Sequence, residues 1–331
     1  MRITFKHTVA ILAALCAASA LAAPALTSPD RHLSVTVVVT AQQTLSWSLK
    51  RDGKPVILAS KLGLQLEGAD LAHGLRMTSV SPPRAIREAY SMAQGKRRHM
   101  RYAANEQVYT VHNAAQHSMD VVFRLSNDGF AFRYVVAEPS LPVKKFVAES
   151  TSFALPAAAK AWLQPMQLAQ TGWMHTNPAY EEHYQREIAV GTPSPSPAGW
   201  VFPALFHAGE SWVALSEAGM DGSFHASRLL AESAGGVYAL GVPMAPEVYP
   251  GGALLAESAG TLRSPWRIGA VGTLATVMES TLGTDLAAPA IAFDAALVKP
   301  GHASWSWPLL KDDNTVFDVQ KQFIDYAADM R

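Results

Sequence analysis

Apolar and polar residues alternate in short runs from Leu33 onward: Leu33 to Thr40, Thr44 to Leu49, Pro55 to Leu58 and Gly63 to Leu66. A period of two places one set of side chains on each face of an extended strand, so these runs predict strands with one buried face. Between the second and third runs, Arg51-Asp52-Gly53-Lys54 has the residues of a tight hairpin turn. The rhythm returns in Gln107 to His112, Ser118 to Leu125 and Phe130 to Val136, with Asn127-Asp128-Gly129 predicting a second hairpin whose glycine takes positive φ cheaply. Three prolines between Gly191 and Gly199 predict a loop rather than a linker, because strand-like runs resume at Trp200 to Phe206 and Ser211 to Ser216.

The pattern changes after Pro300-Gly301. An apolar run, Ala303 to Leu310, predicts a strand, and the polar cluster Lys311 to Asn314 follows it. Val316, Val319, Phe323, Ala327 and Met330 then fall at spacings of three and four, which predicts an amphipathic helix over 316–330, with Thr315 and Asp318 as a capping pair. A strand feeding a helix is one βα unit. A (β/α)8 barrel takes about 250 residues, and about 30 follow Gly301, so the expectation is a barrel cut short at its first unit.

Composition narrows the partners. Of 331 residues 49% are hydrophobic and 16% charged, with 27 basic against 27 acidic side chains, so no basic surface points to nucleic acid or an anionic membrane. Eight Trp and nine Tyr suit an uncharged polar ligand such as a sugar, whose ring stacks on flat aromatic faces, although most of them also serve as core. Arg2, Lys6 and His7, the apolar stretch Val9 to Leu21 and the pattern Ala20-Leu21-Ala22 read as a signal peptide over 1–22, with export to the periplasm or medium and cleavage ahead of Ala23. That stretch is short for a membrane span, and no later one supplies an anchor. Cys16, the sole cysteine, falls inside it, so the mature chain has no thiol for disulfides, metal sites or nucleophilic catalysis.

Several strings occur in an ordered set: Ser46-Trp47-Ser48-Leu49, Asp128-Gly129-Phe130-Ala131-Phe132-Arg133-Tyr134, Phe202-Pro203-Ala204-Leu205-Phe206, Ser264-Pro265-Trp266-Arg267 and Lys299-Pro300-Gly301-His302-Ala303-Ser304-Trp305-Ser306-Trp307. In that order the chain resembles glycoside hydrolase family 97, exported bacterial exo-acting α-glucosidases and α-galactosidases. The resemblance implies an antiparallel β-super-sandwich similar to galactose mutarotase over 23–298, followed by the start of the catalytic (β/α)8 barrel over 299–331. It also implies an oligosaccharide or α-glycoside as substrate and a Ca2+ ion near the reaction centre. The catalytic carboxylates of the family belong to barrel segments that would lie beyond Arg331. One sandwich glutamate reaches the calcium in that family, and Glu181 is its nearest match here, with Glu182 second. The alternative is that both are solvated loop acids.

Other candidates follow from the residues themselves. Trp305 and Trp307, two apart on the predicted strand, present their rings to one face, either as a sugar platform or as barrel core. Glu217 reads as a strand-end acid at a rim. His175 and His183 lack the spacing and third ligand of a metal site. Two other readings stand beside the hydrolase: a free-standing carbohydrate-binding sandwich, and a mutarotase-like epimerase using a histidine and a glutamate. The orphan βα unit argues against both.

Overall fold

The structure is a computed structural model and describes residues 25–168, 183–248, 251–299 and 301–330. The chain divides into two compact units, Met1–Ala287 and Ala288–Arg331.

The first unit is built of antiparallel sheets. One has seven strands in the order Leu26–Thr27, Leu33–Val39, Leu45–Arg51, Lys54–Leu62, Ser152–Ala154, Val237–Gly241 and Arg228–Leu229. The other has eleven, running from the edge strand Gln185–Ala189 through Lys160–Leu163, Ala204–Ala208, Ser211–Ala218, Trp266–Gly272, Gly129–Val136, Ser118–Ser126 and His99–His112 to Arg76–Val80. Arg84–Ser91 also pairs with His99–His112, and Leu262–Arg263 with Gly129–Val136. A four-stranded sheet, Glu257–Ser258, Lys144–Glu149, Leu64–Leu66 and Ala69–Leu71, sits beside them.

Alternation sets these faces. In Leu33–Val39 and Leu45–Arg51 the first, third and fifth residues are buried and the residues between them only partly so. The buried set converges on Trp47, whose ring lies 5.0 to 6.0 Å from those of Phe123, Phe130, Phe132 and Phe153 in tilted and edge-on contacts. A second apolar layer covers the outer face of the large sheet, where Leu282 and Leu286 pack with Ile86, Tyr102, Ala104, Trp266 and Ile268. The short helix Leu274–Glu279 leads into it, its first turn capped by the Thr273 hydroxyl accepting from the Thr276 amide at 3.1 Å.

The two hairpins use their glycines differently. At Asp52 and Gly53 φ is 51° and 76°, so both central residues are left-handed, as a two-residue turn between twisted strands requires. Gly129, by contrast, is not left-handed. A Cβ there would meet the Gly269 carbonyl oxygen at 2.2 Å, so the glycine admits the neighbouring strand rather than shaping the turn.

The second unit departs from the expected βα unit. Residues 301–306 have no regular structure, and Trp307–Leu310 is a helical turn rather than part of a strand. A strand needs a hydrogen-bonding neighbour, and no strand is described in this unit. Pro308 in the first turn, where its missing N–H costs nothing, favours the helix instead. The amphipathic helix is present as Phe317–Asp329. Its N-cap is Val316, without a side-chain bond, and the Thr315 hydroxyl donates instead to the Lys311 carbonyl at 3.1 Å, so the Thr315–Asp318 cap is not formed. No helix among the described residues is long and apolar enough to cross a membrane.

The Trp47 indole N–H is buried without a hydrogen-bond partner among the described residues. Trp47→Ala should therefore cost about 3–5 kcal/mol in urea unfolding through the cavity it leaves. Trp47→Phe, which loses volume but also removes the orphaned donor, should cost less than half as much.

Candidate functional site

Polar side chains inside this sandwich concentrate around Arg267. It lies on Trp266–Gly272, opposite Glu217 on one neighbouring strand and Phe132 on the other. Its guanidinium is 1% exposed and grips Glu149, itself 0% exposed, through two bonds of 3.1 and 2.7 Å. Glu217 takes the remaining edge and also accepts from the Ser227 amide and hydroxyl, at 2.9 and 2.6 Å. Burial works against the Arg267 charge, but the two carboxylates reverse that and hold it more firmly protonated than a free arginine. Glu217 is thus a structural partner, not the solvated strand-end acid expected from sequence. Glu149 had no signal in the sequence at all.

His225 lies against this cluster between Phe146 and Phe224, with ring centroids 4.4 Å away on each side. Its Nδ1 accepts from the Ala256 amide at 3.0 Å, which places the proton on Nε2, a buried atom with no partner. Burial, and then the Arg267 charge, push its pKa down to about 4. It is a neutral histidine at physiological pH. Glu149 and Glu217 are both committed to Arg267, so this group does not supply the free acid and base an epimerase needs.

The more open cavity, about 300 Å³, lies on the outer face and is lined by Arg97, Arg101, Tyr102, Asp128, Glu279 and Asp285, among others. It has room for one sugar ring. Asp128 accepts from the Ser126 and Ser280 hydroxyls, each at 2.7 Å, and Asp285 from Tyr90 and Thr281 at 2.7 and 2.9 Å. Burial raises the Asp285 pKa, aided by the Asp128 charge. Of the three acids only Glu279 makes no side-chain bond among the described residues. Glycoside hydrolysis needs two carboxylates about 5 to 9.5 Å apart flanking one bond, and this cavity offers one uncommitted acid.

The residues anticipated for function fall elsewhere. Glu181, Glu182 and His175 lie outside the described residues, and His183 is exposed. Trp305 and Trp307 do come together in the second unit, with rings 6.1 Å apart and 12° from parallel, although no strand holds them; the Lys311 ammonium sits 4.6 Å over the Trp307 ring. Trp305 is 73% exposed. Among the described residues no three acids, histidines or cysteines gather into a metal-binding group.

Comparison with known proteins follows the same outline. Residues 26–289 match the family model described as Glycosyl-hydrolase 97 N-terminal. A probable retaining alpha-galactosidase of Streptomyces bingchenggensis is 32% identical over 286 residues, which are 86% of this chain and 41% of that protein. The crystal structure of a beta-arabinopyranosidase superposes with a TM-score of 0.80 at 29% identity, over 93% of this chain and 49% of that one. A Glycoside Hydrolase Family 97 enzyme from Pseudoalteromonas sp. strain K8, in complex with panose, shares the fold at 21% identity and a TM-score of 0.69, over 92% of this chain and 46% of its own. The chain spans less than half the length of these relatives.

Two measurements check the buried cluster. Arg267→Leu strands two carboxylates in the interior and should cost about 3–5 kcal/mol at pH 7. Acid neutralises stranded carboxylates, so the deficit should shrink as the pH falls toward 4. His225 adds a separate dependence. Its folded pKa lies below its unfolded value, so the unfolded chain binds the extra proton, and stability should drop by roughly 1.4 kcal/mol per unit as pH falls from about 6.5 to about 4. Urea midpoints across that range should show this slope flattened in His225→Phe.

Proposed function

Because this chain belongs to glycoside hydrolase family 97, we propose that it is the N-terminal part of an exported, exo-acting α-glycosidase that removes terminal α-linked galactose or glucose. One observation carries the division of labour within that reading. Every buried carboxylate around Arg267, and two of the three in the outer cavity, are already bound to arginine or hydroxyl partners. A general acid must hold and release a proton at the scissile bond, and a carboxylate clamped by a guanidinium cannot keep one. The Arg267 carboxylates are thus no acid–base pair, the outer cavity offers one uncommitted acid, and the reading assigns the acid and its partner carboxylate to residues other than those described, with this domain as scaffold. The basic start and apolar core of residues 1–22 support export.

The relatives support the sugar class. The curated one is called a galactosidase, and the Pseudoalteromonas enzyme has been captured with panose and with acarbose. Trp305 and Trp307 would contribute a stacking surface for such a ligand, since parallel indole rings present flat apolar faces to a sugar. Calcium is the proposed metal, with Glu181 as this chain's ligand. One carboxylate supplies at most two of the six to eight oxygens calcium takes, so the rest must come from elsewhere.

A free-standing sugar-binding module, or a mutarotase-like enzyme, is less well supported. The neutral His225 and the committed Glu149 and Glu217 leave the second without its acid and base.

The chain as given should release no p-nitrophenol from p-nitrophenyl α-galactoside or α-glucoside; steady turnover after exclusion of host enzymes would overturn the reading. In a protein extended to the length of its relatives, Glu181→Gln should weaken calcium binding by calorimetry at least tenfold while Glu182→Gln leaves it unchanged. The reverse result would move the ligand by one residue.

A further inference from the structure

Arg133 is a guanidinium without an anion. It lies on Gly129–Val136 with its Cζ 4.3 Å from the centre of the Trp266 ring, and its Nε is buried. Among the described residues it makes neither an ion pair nor a side-chain hydrogen bond. The contrast is Arg124, which approaches the same ring at 5.0 Å but donates to Glu106 at 2.8 Å. Lying over an indole returns part of the hydration that a half-buried cation loses, yet it satisfies none of the five N–H donors.

A second unpaired arginine lies beside the first. Arg263 pairs with Val135 across the sheet, so Arg133, two residues earlier, is its diagonal neighbour on the same face. Two like charges so placed repel. Burial, then Arg124 and Arg263, pull the Arg133 pKa below its ordinary value. Both arginines line a cavity of about 170 Å³ with Ser223, Thr261 and Ser264. Asp221 lines it too, but its Oδ1 accepts from the Ser223 amide and hydroxyl at 2.9 and 2.6 Å, and it forms no ion pair with either arginine. The Ser264 hydroxyl is likewise spent, donating to the Pro265 carbonyl and accepting from the Tyr134 amide. Of the polar side chains lining the cavity, Arg133, Arg263 and Thr261 make no side-chain hydrogen bond among the described residues, and the Ser258 hydroxyl only accepts, from the Gly260 amide at 3.2 Å.

We propose that this cavity is a binding site for a tetrahedral oxyanion, a sulfate or phosphate group, held between Arg133 and Arg263. The charge count favours it: two cations against one carboxylate leave an excess of one. A tetrahedral group also offers oxygens in more than one direction, so two guanidiniums at different angles can both donate to it. The volume admits the anion, either free or as the ester group of a sugar whose ring remains outside. The site is separate from the Arg267 cluster, which faces the sandwich interior, and it does not depend on the glycosidase reading.

Calorimetry on the whole chain with sodium sulfate, at ionic strength balanced by chloride, tests it. One sulfate should bind saturably, Arg133→Gln should weaken binding at least tenfold, and Arg263→Gln should weaken it less. Arg76→Gln, whose arginine bonds Gln116 away from the cavity, should leave it unchanged. Thermal unfolding gives a second readout. Sulfate should raise the melting temperature of the parent but not of Arg133→Gln, and the variant without sulfate should melt no lower than the parent, since it loses a cation that had no partner. Galactose 6-sulfate distinguishes the sources: tighter binding than sulfate assigns the site to a sugar ester, and equal binding assigns it to the free ion. A featureless sulfate isotherm, or one identical in Arg133→Gln, overturns the site.

Discussion

Much of this sandwich is organised by the need to neutralise one buried guanidinium. Arg267 sits in the large sheet, where a charge left alone would cost several kcal/mol, and it is tolerated only because Glu149 and Glu217 reach it from two directions. Glu217 comes from the adjacent strand of the same sheet, whereas Glu149 ends a strand of the four-stranded sheet. One side chain thus fixes how two sheets meet. The Tyr134 hydroxyl makes a parallel tie, bonding the Thr151 hydroxyl at 2.6 Å and accepting from the Gly63 amide at 3.1 Å. Such ties specify geometry more than they add net stability, because each bond replaces one that water would have made.

That constraint also limits the chemistry the domain can do. A carboxylate that holds a guanidinium in a dry interior has its oxygens already occupied, and a histidine kept neutral by burial does not take up a proton at physiological pH. The interior therefore stores rigidity rather than reactivity. Uncommitted groups, Glu279 and the Arg133–Arg263 pair, lie instead around the outer cavities.

The hairpins and the core were legible because their signals are local. Alternation in Leu45–Arg51 and the Asp52-Gly53 turn depend only on neighbours in the chain. The strand Arg84–Ser91 carries no clear strand signal, since Arg84, Arg87 and Glu88 are exposed and only Ile86 is buried. It exists because His99–His112 offers it a hydrogen-bonding edge, and that edge is remote information. Glu149 and Glu217 were opaque or misread for the same reason: their partner lies 118 and 50 residues away. At Gly129 the glycine was recognised, but its purpose lay in the Gly269 carbonyl across the sheet. Around Trp305 the apolar run suggested a strand, and a strand cannot be read without its pairing neighbour. The family, by contrast, could be read from ordered strings alone.

The two ends of the eleven-stranded sheet share a feature that bears on how the molecule behaves in a crowd. An open sheet leaves a row of unpaired amides along each margin, and any extended chain that meets it can add as a further strand. At one margin Gln185–Ala189 carries Glu187 at φ 57° and slips its register against Lys160–Leu163; the other margin is shared by Arg76–Val80, which slips between Met77 and Ser79, and by Arg84–Ser91, which keeps its register but carries two exposed arginines. Each irregularity bends the margin and breaks the even spacing of donors and acceptors that a templated strand would need. Arg186 and Arg76 add charge to the same margins. Where they occur, these departures from ideal pairing make the margin a poorer template for a further strand, a property that straightening them for the sake of stability would remove.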